Sequence, residues 1–194
     1  MPDIPRSTAE ARRATVLHRA VPVFARHGYH ATPVTAVAEA AGISQAYVFR
    51  LFKGKLELFV AALDHCYELI CRTLRTSAET APGAGPDEVL EALGNAYADL
   101  IADRDLLMLQ IHAQSASDIP EVCEAIRRGY AAVVETAREL SGGTDEQVQR
   151  FIALGQLCHL IVAADLDGVD AAWARTLTRG MRHPTSRESN SQNP

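Results

Sequence analysis

Residues 38–52, AEAAGISQAYVFRLF, contain two short helical patterns that are separated by a single glycine. Gly42 followed by apolar Ile43 is typical of a helix that ends in a left-handed glycine cap. Ser44 then supplies the N-cap of a second helix, which ends near Phe52. Two short helices joined by a tight glycine corner predict a helix-turn-helix.

The second helix of this motif presents a polar face. On a helical wheel Val48, Leu51 and Phe52 point to one side, while Ala46 and Arg50 point nearly opposite. In a helix-turn-helix the second helix enters the major groove of DNA, where glutamine can pair with adenine, arginine with guanine, and an alanine methyl with the thymine methyl. Hydroxyl and ammonium groups near the helix suit phosphate oxygens. The side chains predicted to contact DNA are Thr32, Ser44, Gln45, Ala46, Tyr47, Phe49, Arg50, Lys53 and Lys55.

Charge is distributed unevenly along the chain. The 194 residues carry a formal net charge of −5. Up to Lys55, eight basic residues stand against three acidic ones, which gives +5, and the remainder carries −10. This asymmetry predicts a basic head that meets phosphate and an acidic body that does not.

The first helix is predicted over about residues 8–27. Ser7 and Glu10 form an S-x-x-E capping box at its start. Gly28 supplies the left-handed conformation that ends it.

The rest of the sequence is also helical in pattern. Thr32 is expected to cap a second helix over 33–41, and a long helix follows Gly54. The stretch 80–86 is rich in glycine and proline and is predicted to be a loop. Five further helix-length segments cover 86–105, 104–117, 119–140, 144–166 and 170–181. Since no segment shows the alternation of a strand, the predicted fold class is all-α.

Residues 32–59, TPVTAVAEAAGISQAYVFRLFKGKLELF, resemble the N-terminal signature of the tetracycline-repressor (TetR) family, and the preceding VFARHGYHAT, residues 23–32, resembles the end of its first helix. The family pattern is T-x-x-x-(I/V)-A-x-x-A-G-(V/I)-S, then an aromatic residue and Phe, then Lys and Leu-Phe. The matching positions are Val37, Ala38, Ala41, Gly42, Ile43, Ser44, Phe49, Phe52, Lys55, Leu58 and Phe59.

Two positions depart from the family pattern. Phe49 stands where the family usually has a tyrosine whose hydroxyl reaches a phosphate, and phenylalanine cannot make that bond. Tyr47 stands where the family often has a small or polar residue. Its larger ring is expected to touch bases or sugar and to shift the preferred DNA sequence.

The resemblance implies a three-helix DNA-binding head in residues 1–55 and a larger helical body in residues 56–183 that binds a small molecule and dimerises. Residues 184–194 are polar and are expected to be disordered. The implied function is a ligand-responsive transcriptional regulator, most simply a repressor. It would bind a pseudo-palindromic DNA operator as a homodimer and be released by a small-molecule effector.

A two-fold dimer is needed if two recognition helices are to lie about 34–36 Å apart, one turn of DNA. The segments 119–140 and 144–164 are the candidates for an intermolecular four-helix bundle, although their apolar stripe could instead join the core of one protomer. The predicted interface residues are Val133, Val134, Phe151, Leu154, Leu157 and Ile161.

An effector pocket is predicted between the central helices, where polar and aromatic residues interleave with apolar ones. Each of these residues could equally have a core or surface role. The candidates are Tyr67, Tyr97, Met108, Gln110, His112, Gln114, Tyr130 and His159.

A redox-sensing regulator on the same scaffold is the first alternative. It would need an exposed thiolate of low pKa, whereas the cysteines fall within apolar helical patterns and are expected to be reduced, structural thiols. The first two are five positions apart, roughly 140° around a helix, so they do not form a metal clamp. The cysteines are Cys66, Cys71, Cys123 and Cys158.

A helical enzyme is the second alternative, and it is disfavoured because the sequence has no G-x-S-x-G, no H-E-x-x-H and no phosphate-binding glycine loop. No catalysis, cofactor or metal is therefore expected. The chain also lacks a signal peptide pattern and an apolar run of the roughly 20 residues that cross a bilayer. These features predict that the protein is cytoplasmic and has no membrane partner.

Overall fold

The computed structural model describes residues 6–79 and 83–181, with side chains from Glu10 onward. The side chain of Ser7, and with it the predicted capping box, lies outside these residues, as do the predicted tail 184–194 and residues 80–82 of the predicted loop. The described residues form helices and turns without a strand, which confirms the all-α prediction. The helices are α1 Arg6–Ala31, α2 Val34–Ala40, α3 Gln45–Leu51, α4 Lys55–Ala78, α5 Pro86–Leu100, α6 Arg104–Ser115, α7 Pro120–Ser141, α8 Asp145–Ala163 and α9 Ala172–Thr178, with a 3-10 helix at Leu166–Gly168.

The chain divides into two compact units, and α4 and α7 contribute residues to both. Unit 1 consists of Met1–Arg72 and Asp105–Glu135, and unit 2 consists of Thr73–Arg104 and Thr136–Pro194. The core of unit 1 is aromatic around Phe59, whose ring meets Phe24 edge-on at 4.9 Å and Tyr29 at 5.3 Å between centroids. Burying each such side chain contributes about 1.5–3 kcal/mol.

The turn between α2 and α3 has the predicted glycine corner. Gly42 adopts φ +65°, and the Ile43 and Gly42 amides donate to the carbonyls of Ala38 (3.0 Å) and Glu39 (3.0 Å). These are the two hydrogen bonds of a Schellman cap, which satisfies the last carbonyls of α2. Ser44 caps α3 as predicted, since its Oγ accepts a hydrogen bond from the Tyr47 amide at 3.2 Å.

The junction between α1 and α2 differs from its prediction at Thr32. Gly28 has the predicted positive φ, +69°, but the Thr32 hydroxyl donates to the Gly28 carbonyl at 2.6 Å and does not cap α2. Pro33 is itself the extended N-cap residue, with ψ 149°. The expectation that Thr32 caps the second helix is therefore wrong, because its hydroxyl bonds backwards to the end of α1.

In unit 2, α5 packs against α8, and the C-terminal end of α8 contacts the 3-10 helix and α9. A capping box starts α8: the Gln147 amide donates to Thr144 Oγ1 at 3.3 Å and the Thr144 amide to Gln147 Oε1 at 2.9 Å. At the other end Arg104 donates to the carbonyls of Val162 and Ala163 at 2.6 and 3.1 Å. A cation at the carbonyl end of a helix is favourable both for hydrogen bonding and for the helix dipole.

Candidate nucleic-acid interface

The recognition helix α3 buries one side and exposes the other, as the helical wheel predicts. Val48 and Phe52 are each only 1% exposed, and they anchor the helix in the core of unit 1. The side chains on the outer surface are Gln45, Ala46, Phe49 and Arg50. Glutamine and arginine on a protruding face can pair with base edges, so this surface has the chemistry of a major-groove reader.

Two arginines lie close to the Tyr47 ring. Arg12 Nη1 donates to the Tyr47 hydroxyl at 3.0 Å, and the Arg12 Cζ lies 5.7 Å from the ring centroid. The Arg50 Cζ lies 5.5 Å from the same centroid. The hydrogen bond that Arg12 donates to Tyr47 raises the pKa of the guanidinium above its usual value.

Arg12 is the functional candidate that the sequence reasoning missed. It is 35 residues from Tyr47, and only tertiary structure brings the two together. Its basic charge was counted in the N-terminal head, but no local spacing distinguishes it from its neighbours.

The adjacent Arg13 fixes the other end of α3. Its Nη1 donates to the Leu51 carbonyl at 2.5 Å, and its guanidinium stacks over Phe52 at 4.1 Å from the centroid. The same guanidinium also lies 3.6 Å from a Glu57 carboxylate oxygen. Arg13 therefore ties α1 to the carboxyl end of α3 and the first turn of α4, which orients the recognition helix.

Three of the predicted phosphate-binding residues occupy different environments. Thr32 is 1% exposed and its hydroxyl is used within the protein, so we leave it out of the interface. Lys55 Nζ donates to the carbonyls of His30 and Thr32, both at 3.1 Å, and lies 4.7 Å from the Tyr29 ring centroid. Lys53 is exposed.

We expect Lys55→Met to lower the free energy of unfolding by about 1–2 kcal/mol, because two carbonyl acceptors lose a charged donor. Urea denaturation measures this loss. Lys53→Met is the matched control, and it should leave stability unchanged within about 0.5 kcal/mol because its side chain is exposed. If the Lys55 variant is as stable as the wild type and its DNA binding depends less on salt, Lys55 instead contacts a DNA phosphate.

Six of the eight predicted pocket residues lie in unit 1, where several contact one another. Tyr67 is 4% exposed and its ring meets Tyr130 at 5.6 Å between centroids. Gln114 Nε2 donates to the Tyr130 hydroxyl at 3.4 Å, and buried Gln110 donates to the Leu106 carbonyl at 3.2 Å. Met108 and His112 are half-buried on α6.

The other two pocket candidates form a pair in unit 2. The Tyr97 hydroxyl makes a short hydrogen bond with His159 Nε2. His159 is 5% exposed, and burial lowers its pKa to about 4, so the ring is neutral near neutral pH. Its Nδ1 is buried and has no hydrogen-bond partner among the described residues.

A cleft of about 780 Å³ lies between α5 and α8 in unit 2. Of the eight predicted pocket residues, Tyr97 lines it. Its walls include apolar Leu90, Phe151 and Leu154, and Gly155 on α8 lies next to the Tyr97 ring. A volume of this size lies within the usual range of small-molecule sites.

The predicted dimer residues divide by exposure. Val133 and Ile161 are 7% and 0% exposed within a single chain, so they belong to the protomer's own core and we exclude them from the interface. Val134, Phe151 and Leu157 are half-buried, and Leu154 is 41% exposed.

The structure adds exposed Leu160 to the apolar residues of α8, among which Leu157 is a predicted interface residue. Ala153, Leu157 and Leu160 recur at helical spacing along α8, Ala164 follows as its C-cap residue, and the Leu160 side chain is 50% exposed. Trp173 on α9, in the same unit, is 56% exposed. We call these five residues the α8–α9 apolar face.

Over the described ranges 6–79 and 83–181, no helix is long and apolar enough to cross a membrane. Within the same ranges, no group of three or more His, Cys, Asp or Glu side chains is arranged to hold a metal ion.

Comparison with known proteins gives a family match over the head. Residues 16–62 match the family model described as "Bacterial regulatory proteins, tetR family". This range contains α2, α3 and the start of α4, so the match falls on the helix-turn-helix.

Two curated relatives and one solved structure extend the similarity. The chain is 24% identical over 147 residues to the uncharacterized HTH-type transcriptional regulator YerO of Bacillus subtilis, covering 73% of this chain and 50% of YerO. It is 26% identical over 153 residues to the HTH-type transcriptional activator FasR of Mycolicibacterium smegmatis, covering 75% and 67%. The alignments thus span half to two thirds of these relatives. The structure of FadR from Bacillus subtilis in complex with stearoyl-CoA has the same fold, with TM-score 0.69, 17% identity, and coverage of 84% of this chain and 94% of FadR.

Proposed function

We propose, from the premise that this chain is a transcriptional regulator of the tetR family, that it binds a pseudo-palindromic operator as a homodimer and leaves the DNA when a small molecule binds its helical body. In this proposal residues 1–55 are the DNA-binding domain and residues 56–183 the regulatory and dimerisation domain. The protein acts in the cytoplasm as a repressor.

The observation that carries the DNA-binding role is the exposed face of α3. Gln45 and Arg50 project from a helix whose inner side is locked by buried Val48 and Phe52. Arg13 holds the carboxyl end of the same helix through the Leu51 carbonyl. A rigid helix with exposed amide and guanidinium groups suits direct readout of bases, since preorganised side chains lose less entropy on binding.

The α8–α9 apolar face supports the dimer. Two identical apolar faces related by a two-fold axis can cover one another, and burial of their side chains stabilises the pair. Two heads are needed because a single recognition helix covers only one half-site.

The response to a small molecule is supported by the cleft between α5 and α8 and by the fold shared with the stearoyl-CoA complex of FadR. An effector acts only through different affinities for the DNA-bound and free conformations. A coupling free energy of about 1–3 kcal/mol changes DNA affinity about 5- to 150-fold. Stearoyl-CoA is the first probe to add to a DNA-binding assay.

Selection of bound duplexes from random DNA with the purified protein tests the function and supplies the operator. On that operator, Arg50→Ala and Gln45→Ala should each cost about 1–3 kcal/mol, because each removes contacts to a base edge. Non-specific affinity should fall less. Fluorescence anisotropy with operator and scrambled duplexes measures both quantities.

Arg127→Ala is the control for Arg50→Ala, since Arg127 is an exposed arginine on α7 and its loss removes the same charge. Equal losses on operator and scrambled DNA would remove Arg50 from base reading. Failure of the wild-type protein to bind any duplex at low ionic strength would contradict the proposed function as a whole.

A further inference from the structure

We propose that Arg12 binds a DNA phosphate and that the Tyr47 side chain holds its guanidinium in position for this contact, an inference that rests on the proposed function. Arg12, Tyr47 and Arg50 then act as one composite contact, in which α1 adds a backbone anchor beside the recognition helix.

Both arginines lie close to the Tyr47 ring. The Tyr47 hydroxyl accepts a hydrogen bond from Arg12 Nη1 at 3.0 Å, and the Arg12 and Arg50 guanidinium carbons lie 5.7 and 5.5 Å from the Tyr47 centroid. These distances are within the range of cation–π attraction. Arginine side chains carry about 2 kcal/mol of rotamer entropy, so a guanidinium that is already held against a ring loses less freedom when it meets DNA.

The charge around the ring favours an anionic ligand. Arg12 and Arg50 are both exposed, and no carboxylate of the described residues lies within ion-pair distance of either one. The neighbouring Arg13, by contrast, is close to Glu57. Two cations held beside one ring, without a counter-charge from the described part of the protein, are best compensated by phosphate oxygens.

The donors of Arg12 also suit phosphate better than a base. A guanidinium has five N–H groups in a planar fork, and the hydrogen bond to Tyr47 uses one of them. The remaining donors can bind a phosphate through two parallel hydrogen bonds. Because Arg12 extends from α1, outside the recognition helix, it would approach the groove from its phosphate edge.

The competing explanation is that Arg12 has only a structural role, in which its hydrogen bond to Tyr47 holds α3 against α1. Counterion release separates the two roles, since each phosphate contact contributes about 0.9 to the slope of log affinity against log salt concentration. In a purely structural role, Arg12 would contribute to affinity and stability but not to this slope.

The test measures affinity for operator and scrambled duplexes across a salt series. Arg12→Ala should weaken both duplexes about 10-fold and reduce the slope by about 1 for each protomer bound. Tyr47→Phe, which keeps the ring and removes the hydroxyl, should weaken both by a smaller factor, about 3-fold, without changing the slope. The double variant should match Arg12→Ala within about 2-fold, because the two side chains act together.

Two further variants control for charge and folding. Arg26→Ala removes the same charge from an exposed position 14 residues along α1, about 21 Å away, and should leave affinity and slope near wild type. Arg12→Lys keeps the charge and should retain most of the slope. Thermal unfolding, monitored by circular dichroism, establishes that each variant is folded.

An unchanged slope in a folded Arg12→Ala variant that has lost affinity would overturn the inference, and so would equal effects of Arg12→Ala and Arg26→Ala. Both outcomes leave the proposed function standing, provided that the wild-type protein binds its operator and Arg50→Ala loses specificity. If the wild-type protein binds no duplex, that result contradicts the proposed function itself, and the inference about Arg12 falls with it.

Discussion

If the protein is the proposed homodimer, replacing Leu160 by glutamate should convert it into monomers and weaken operator binding by about 100-fold or more. Leu160 is 50% exposed in the single chain and belongs to the α8–α9 apolar face. A carboxylate buried there without a partner would cost several kcal/mol for each protomer. A monomer reaches one half-site only, and affinity then falls toward the non-specific level, which is about 10³–10⁷ weaker.

Sedimentation velocity measures the oligomeric state, and anisotropy with the selected operator measures affinity. Ala102→Glu adds the same charge at an exposed turn after α5 and should leave both unchanged. A Leu160→Glu protein that remains dimeric and binds normally would show that the protomers meet through another surface. The half-exposed Val134 on α7, a residue of the predicted interface, would then be the next position to charge.

Replacing Gly129 by alanine should lower the free energy of unfolding by about 3 kcal/mol, a large value for the addition of one methyl group. Gly129 is buried in α7, and a Cβ there would overlap the Tyr67 ring, including the Cγ at its root. Tyr67 is itself 4% exposed and meets Tyr130, so its ring has little freedom to move aside.

Gly94→Ala is the matched control. Gly94 is also a helical glycine, in α5, but a Cβ there would have no atom within 4 Å. Alanine is favoured over glycine in a helix by about 1 kcal/mol, so this variant should be stabilised. Urea denaturation compares the two, and a Gly129→Ala variant that is as stable as Gly94→Ala would contradict the close contact between Gly129 and Tyr67.

The redox alternative is not favoured by the thiols of the described chain. Cys66, Cys71 and Cys158 are buried, and Cys123 is half-buried. Burial, followed by the charge of Asp167, raises the pKa of the Cys158 thiol to about 11. A thiol with so little thiolate near neutral pH reacts slowly with oxidants.

The sequence alone determined that the fold is helical and that α2 ends and α3 begins at the corner around Gly42. Gly42, Ile43 and Ser44 specify the corner of the helix-turn-helix through hydrogen bonds between residues three to five apart, and these signals are local. Within the helix-turn-helix the outer and inner sides of α3 also followed from helical periodicity, since its polar residues are exposed and Val48 is buried.

Only the tertiary structure decided which side chains form hydrogen bonds within the protein and which remain available to contact DNA. The Lys55 ammonium is bonded to the end of α1, and Arg12 joins Tyr47 across 35 residues. Periodicity along α7 and α8 likewise could not separate buried Val133 and Ile161 from exposed Leu160. The physical reason is that a pattern along one helix gives the direction of a side chain, whereas burial and hydrogen bonding depend on which distant segment lies opposite it.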